Sequence, residues 1–95
     1  MSQFTRLLDF RGFLLETSGQ KELIFWIEAP RRKPGESQFH CEIGASFLPR
    51  PMKIYGEDAK QAMKLAYAVV KKRLAGKTLL DSTGAPVALP SLPKS

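Results

Sequence analysis

SQFHCEIGASF, residues 37–47, alternates without a break: Phe39, Cys41, Ile43, Ala45 and Phe47 are separated by Gln38, His40, Glu42, Gly44 and Ser46. Successive side chains of an extended chain point to opposite faces, so this is the pattern of a strand buried on one side. Just upstream, KELIFWIEA, residues 21–29, is rich in β-branched and aromatic residues, the composition of a second strand. Folding it back across a loop centred near Lys33 brings Ile27 opposite Phe39, Phe25 opposite Cys41 and Leu23 opposite Ile43, so both apolar sets share one face. FTRLLDFRGFLLET, residues 4–17, predicts another strand, turning back through TSGQ at 17–20. In that register Leu15 meets Leu23 and Phe13 meets Phe25, while Trp26 falls opposite Gly12, itself a plausible bulge or bend. PRPMKIY, residues 49–55, has prolines that confine it to an edge.

The shared apolar face wants a helix, and YGEDAKQAMKLAYAVVKKRLAG, residues 55–76, supplies one. Glu57 and Asp58 fall in its first turn, Lys71, Lys72 and Arg73 in its last, and Gly76 just beyond, which suits the dipole at both ends. Ala59, Ala62, Met63, Ala66, Val69, Val70 and Leu74 recur at three- and four-residue intervals and make one apolar face. KTLLDSTGAPVALPSLPKS, residues 77–95, could add a small hairpin or strand, but its Pro, Ser and Lys read as a loosely held tail. The expected fold is therefore α+β. It is an antiparallel meander of three or four strands (about 3–16, 21–29, 37–47 and a short 51–55) packed on one long C-terminal helix (about 57–75), in a single domain of 1–95.

The run GEDAKQAMKLA, after strands carrying IEAP and HCEI, resembles a family of small bacterial domains of unknown function. That family has a strand meander closed by a helix opening G-x-D-x-x-Q-A. Gly56, Asp58, Gln61, Ala62 and Ala66 match the opening, Pro30 matches a proline after the second long strand, and Cys41 a cysteine in the next. The similarity spans roughly residues 22–75. This chain departs from the pattern in a longer first strand and a more basic helix. The resemblance implies the fold and brings no activity with it.

Ninety-five residues, 43% of them hydrophobic and 25% charged, suit one small globular domain with a modest core. A lone cysteine, Cys41, makes no internal disulfide, which favours a reducing compartment, and the cytoplasm is the expected location. The N-terminal stretch mixes charges with apolar residues, and no run approaches the ~18 apolar residues of a membrane span. Neither export nor membrane insertion is expected.

Catalysis finds little to work with. His40 and Cys41 are adjacent, but neighbours in a strand point to opposite faces and make no dyad. Cys41 reads as a small core residue, and His40 as solvent-facing or stacked on an aromatic ring. With one histidine and one cysteine, ligand-like spacing for a metal is absent. The glycines form neither G-x-G-x-x-G nor a P-loop. No enzyme activity and no cofactor are expected.

Two binding readings remain. In the first, the sheet face away from the helix, with Ile24, Trp26, His40, Glu42 and Leu14, is an amphipathic interface for a homodimer or another protein. Its bland counterpart has the Trp26 indole merely covering Gly12. In the second, nucleic acid binds a chain with a net charge of +6, through a helix stripe of Lys60, Lys64, Tyr67 and Lys71 and a hairpin tip of Arg31, Arg32 and Lys33. A solvated helix face and a charged hairpin loop explain the same residues without a ligand. The two are told apart by whether both basic clusters lie on one side of the fold.

Overall fold

The structure, a computed structural model, describes residues 5–92. The first residues of the predicted opening strand and the last three of the predicted tail lie outside the described residues. In chain order the elements are β1 (Arg6–Glu16), β2 (Gly19–Glu28), β3 (Phe39–Ala45), β4 (Met52–Gly56), α1 (Ala59–Leu74), β5 (Thr78–Leu80) and β6 (Pro86–Val87). They form a six-stranded antiparallel sheet in the order β4-β3-β2-β1-β5-β6, with α1 over β3 and β4. The α+β class is as expected. The sheet, however, has two strands beyond the predicted four, and both follow the helix, which is therefore not the last element.

The core lies between helix and sheet. Leu23, Phe25 and Ile27 of β2, Cys41 and Ile43 of β3, and Ala62, Ala66, Val70 and Leu74 of α1 are all buried in it, so these two strands and the helix present the faces their periodicity dictates. The register between β2 and β3 differs from the expected one. Ile27 faces Ile43, and Phe25 faces Ala45. The hairpin turns at Pro34 and Gly35, two residues beyond the assumed centre at Lys33: the Glu36 N–H donates to the Lys33 carbonyl at 3.0 Å, and Gly35 has φ of +88°. Proline at the second and glycine at the third position are what a type II turn demands. Because each strand slides by two residues, every side chain keeps its face.

β1 does change face. The expected wide turn through TSGQ is replaced by a two-residue turn at Thr17 and Ser18, since Glu16 already pairs with Gly19. The resulting shift is odd. Phe10 rather than Phe13 pairs with Phe25, and Gly12 rather than Leu15 with Leu23. Leu8, Phe10 and Leu14 enter the core, and the Phe10 and Phe25 rings stack at 5.2 Å. Leu14, expected on the outer face, is thus an inner residue. The bulge expected at Gly12 sits instead between Arg6 and Leu8. Glycine is needed at position 12 because a Cβ there would collide with the Leu80 carbonyl of β5.

Two local devices fix the helix. Asp58 is its N-cap, accepting the Gln61 N–H at 2.7 Å, while Gln61 Oε1 accepts the Glu57 N–H at 2.6 Å. This is a reciprocal cap of the capping-box kind. The two acids therefore precede the first turn instead of occupying it. Gly56 ends β4 where the helix backbone comes closest: a Cβ on it would meet the Ala62 nitrogen and lie 2.8 Å from the Ala62 Cα. Small residues at 56, 62 and 66 let helix and sheet approach.

The predicted loose tail is tied down. Leu79 and Leu80 are buried, and β5 zips onto β1 through Phe13–Leu80, Leu14–Leu79 and Leu15–Thr78. Asp81 closes the hairpin to β6: its Oδ1 accepts from the Thr83 hydroxyl, the Thr83 N–H at 2.8 Å and the Ala85 N–H at 3.0 Å. These bonds, the Thr83 hydroxyl first, hold its carboxyl below the usual range. Beyond β6, Leu89 and Leu92 pack against the core.

Candidate functional site

Four-residue spacing of Ala62, Ala66, Val70 and Leu74 turns those residues inward and leaves the opposite face of α1 to solvent. Lys60, Lys64, Lys71, Lys72 and Arg73 on α1 and Lys77 just after it are all exposed. Between residues 59 and 80 there is no Asp or Glu. The whole chain has 15 Lys and Arg against 9 Asp and Glu; setting aside these six cations leaves nine of each sign. These six cations thus equal the whole formal net charge of +6. Among the described residues the ion pairs are Arg6–Asp9 at 3.3 Å and Arg31–Glu28 at 2.8 Å, so none of the six is neutralised by an acid.

The sheet's outer face is the contrary case. Its register aligns Asp9, Glu22, Glu28 and Glu42 with Arg6, Arg11, Arg31 and Lys53, four charges of each sign. Ile24, Trp26 and Glu42 do share this face, each half-buried. Trp26 is occupied internally. Its indole fills the space where a Gly44 Cβ would stand, and the Arg6 guanidinium lies 4.4 Å from its ring centroid. The glycine it covers is Gly44 of β3, not Gly12, because of the register changes above. Glu42 stands opposite Lys53 of β4.

His40 is on the outer face but is not solvent-facing: it is 1% exposed, tilted against Tyr55 at 5.6 Å between centroids. Tyr55 of β4 flanks it on one side and Arg31 on the other. Neither ring nitrogen has a hydrogen-bond partner. Burial first, then the charges of Arg31 and Lys53, hold its pKa below the ordinary value. Cys41 points the other way, into the core, where burial pushes its thiol up to about 11. Such a thiol is a poor nucleophile at neutral pH.

The hairpin tip and the helix stripe meet at one end of the fold, since Phe39 pairs with Gly56. The tip is nonetheless divided between faces. Arg31 exchanges two backbone hydrogen bonds with His40 and pairs with Glu28, on the outer side. Arg32 lies 5.5 Å from the centroid of Phe39, a member of the inner set. Lys33 opens the turn. Of the tip, Arg32 lies on the side of Lys60 and Lys64, and Arg31 does not. Tyr67 also leaves the predicted stripe: it is half-buried, and its hydroxyl donates to the Pro90 carbonyl at 2.9 Å, clamping the chain after β6.

What the residue patterns did not pick out is Lys77 and the full extent of the charge segregation, although the acid-free run from 59 to 80 is visible in the sequence itself. Among the described residues no group of three His, Cys, Asp or Glu is placed to hold a metal ion, and no helix is long and apolar enough to cross a membrane. No known family model, no curated protein and no solved structure matches the chain.

Proposed function

We propose that this chain is a non-catalytic binding protein that docks nucleic acid on the solvent face of α1. The observation that carries this reading is the segregation of charge: an outer sheet face with four charges of each sign, against six exposed cations and no acid from residue 59 to 80. Lys60 and Lys64 are four residues apart, about 6 Å along the axis at 1.5 Å per residue, and Lys71 continues the row. Cations held at fixed spacing on a preformed helix need little ordering on binding. Each phosphate they meet releases counterions, which makes affinity fall steeply with salt.

The test is a binding series on duplex and single-stranded DNA and RNA at increasing salt. With four phosphates contacted, the logarithm of affinity should fall against the logarithm of salt with a slope of about −3.6 on duplex and about −2.8 on single strands. Lys60→Glu with Lys64→Glu should weaken binding more than Arg31→Glu with Arg32→Glu, because Arg31 is already committed to Glu28 on the other face. The opposite ranking, or affinity indifferent to salt, defeats the proposal.

A second reading, self-association, is favoured by one feature. The sheet face around Ile24 has no layer over it among the described residues, and Leu15 on it is 49% exposed. Glu42→Lys probes that face beside a stability control, since it sets a like charge opposite Lys53, and light scattering before and after the change tests it. Trp26→Ala reports on the same face only beside a stability control, since the indole also covers Gly44.

A further inference from the structure

At the end of α1 away from the hairpin tip, the β1–β2 hairpin, the segment after β3 and the last helical turn enclose a cleft of about 210 Å³. We propose that it binds a small organic anion with a short apolar tail, the head being a carboxylate or a phosphate monoester. The cleft's floor is apolar, made by Leu23, Phe47 and Leu74, and its mouth is ringed by Lys21, Arg73 and Lys77. Those three cations come from β2, α1 and the connection to β5, so helix periodicity alone does not explain their convergence.

Glu22 is the one acid among the described residues of the lining; it lies opposite Phe13, in the strand set that faces the outer side, and among the described residues it makes no ion pair with the three cations. The helix C-terminus contributes about half a negative charge, and two of its last carbonyls are already engaged, that of Lys72 by the Ala75 N–H and that of Leu74 by the Lys77 N–H. Ser46, also on the lining, accepts the Ile24 N–H at 3.1 Å, which leaves its hydroxyl proton available to an incoming oxygen. Anionic head and apolar tail thus each meet their complement. The volume equals about seven waters at ~30 Å³ each and falls short of the ~300 Å³ of drug-sized sites, so the tail must be short.

This cleft shares Arg73 and Lys77 with the basic helical layer but not Lys60 and Lys64, so its failure and that of the nucleic-acid reading are distinguishable. The full chain is titrated with hexanoate, hexyl phosphate, hexanol and inorganic phosphate, following the backbone amide resonances around Leu23 and Leu74. Saturable shifts with hexanoate or hexyl phosphate are expected, and the tighter of the two identifies the head. Hexanol and inorganic phosphate should bind at least about tenfold more weakly. Lys21→Gln with Lys77→Gln should weaken the anion about tenfold, the product of two exposed charges at up to ~0.7 kcal/mol each. Lys60→Gln with Lys64→Gln should leave it unchanged while weakening nucleic acid. Both lysine pairs are exposed, so the fold is not at stake. Hexanol or inorganic phosphate binding as tightly as the tailed anions overturns the proposal. So do equal losses from both lysine pairs, or no saturable shift with any of the four.

Discussion

Replacing His40 with phenylalanine should make the protein more stable, and more so as the pH falls. The ring is 1% exposed with both nitrogens unpartnered, and it packs beside Tyr55 on the neighbouring strand. A buried polar group without a partner costs about 1–3 kcal/mol, and an aromatic pair across strands returns about 0.5–1.5 kcal/mol. Against this stands the slightly larger phenylalanine, with an overpacking cost of about 1 kcal/mol. The net expectation at neutral pH is a gain of about 1–2 kcal/mol, or roughly 4–8 °C in Tm per kcal/mol for a domain this size.

The pH dependence has a definite sign. Burial and the charges of Arg31 and Lys53, only partly countered by Glu36, lower the His40 pKa in the folded state. The unfolded chain then takes up the proton first. The stability associated with neutral His40 is fully present above the unfolded value of about 6.5 and is lost as pH falls below it toward the folded pKa, at up to about 1.4 kcal/mol per pH unit. His40 is the only histidine, so between about pH 5 and 6.5, above the carboxylates, the slope belongs to it. Urea unfolding followed by Trp26 fluorescence, across that window, compares the two proteins. A folded but less stable His40→Phe variant, or one that keeps the wild-type slope, refutes the account and shows that the ring nitrogens have partners.

The other stability predictions test how helix and tail are attached. Gly56→Ala forces a Cβ against the Ala62 backbone and should destabilise by about 1–3 kcal/mol, whereas the same change at the open position Gly19 is limited to its backbone strain; denaturant midpoints decide. Asp58→Ala removes the N-cap bond to Gln61 and should cost about 0.5–2 kcal/mol, with loss of amide protection confined first to the helix start. Tyr67→Phe breaks the bond to the Pro90 carbonyl and should cost about 0.5–1.5 kcal/mol; faster hydrogen exchange after β6 with an unchanged sheet is the expected pattern, and exchange accelerated uniformly across the sheet contradicts it.

The parts of the fold that were legible are those where one pattern dominates. In β2 and β3 the inner set 23, 25, 27, 41 and 43 is apolar and the outer set mostly polar, so the faces survive even a four-residue error in the sum of paired positions. β1 offers no such choice. Its even residues include Leu8, Phe10 and Leu14, and its odd ones Leu7, Phe13 and Leu15, so either face satisfies the core. The decision belongs to the turn, and Thr17-Ser18 is not a strong hairpin signal. The small hairpin after the helix was foreseeable, but the tail's attachment to β1 was not: Leu79 and Leu80 sit between lysine and Asp-Ser-Thr-Gly, in a three-residue strand too short for periodicity to register. For the candidate site, the cations were visible individually, but the division of the tip between Arg31 and Arg32 follows from the extra residue that β2 carries before the Arg31–His40 bridge. Nothing in the residue string marks that bulge.

G-x-D-x-x-Q-A, the pattern that prompted a family resemblance, has a purely structural account here. Gly56 admits the helix backbone, Asp58 accepts the Gln61 N–H while Gln61 accepts the Glu57 N–H, and Ala62 and Ala66 are buried at the contact with the sheet. Every position in it is occupied by the task of starting a helix close above a strand. Chains that share this opening need therefore share only that joint, and whatever distinguishes their functions must lie outside it. In this chain the six cations from Lys60 to Lys77 are not required by the joint, although Lys60 stands at one of its unspecified positions, and among the described residues none is paired with an acid. A solvated helix face needs charge for solubility but has no need of a single sign, since alternating Glu and Lys four residues apart would stabilise the same helix by about 0.2–0.5 kcal/mol per pair. The absence of any acid across 22 residues forgoes that stabilisation; under the proposed function, contact with a polyanion is what would offset the loss.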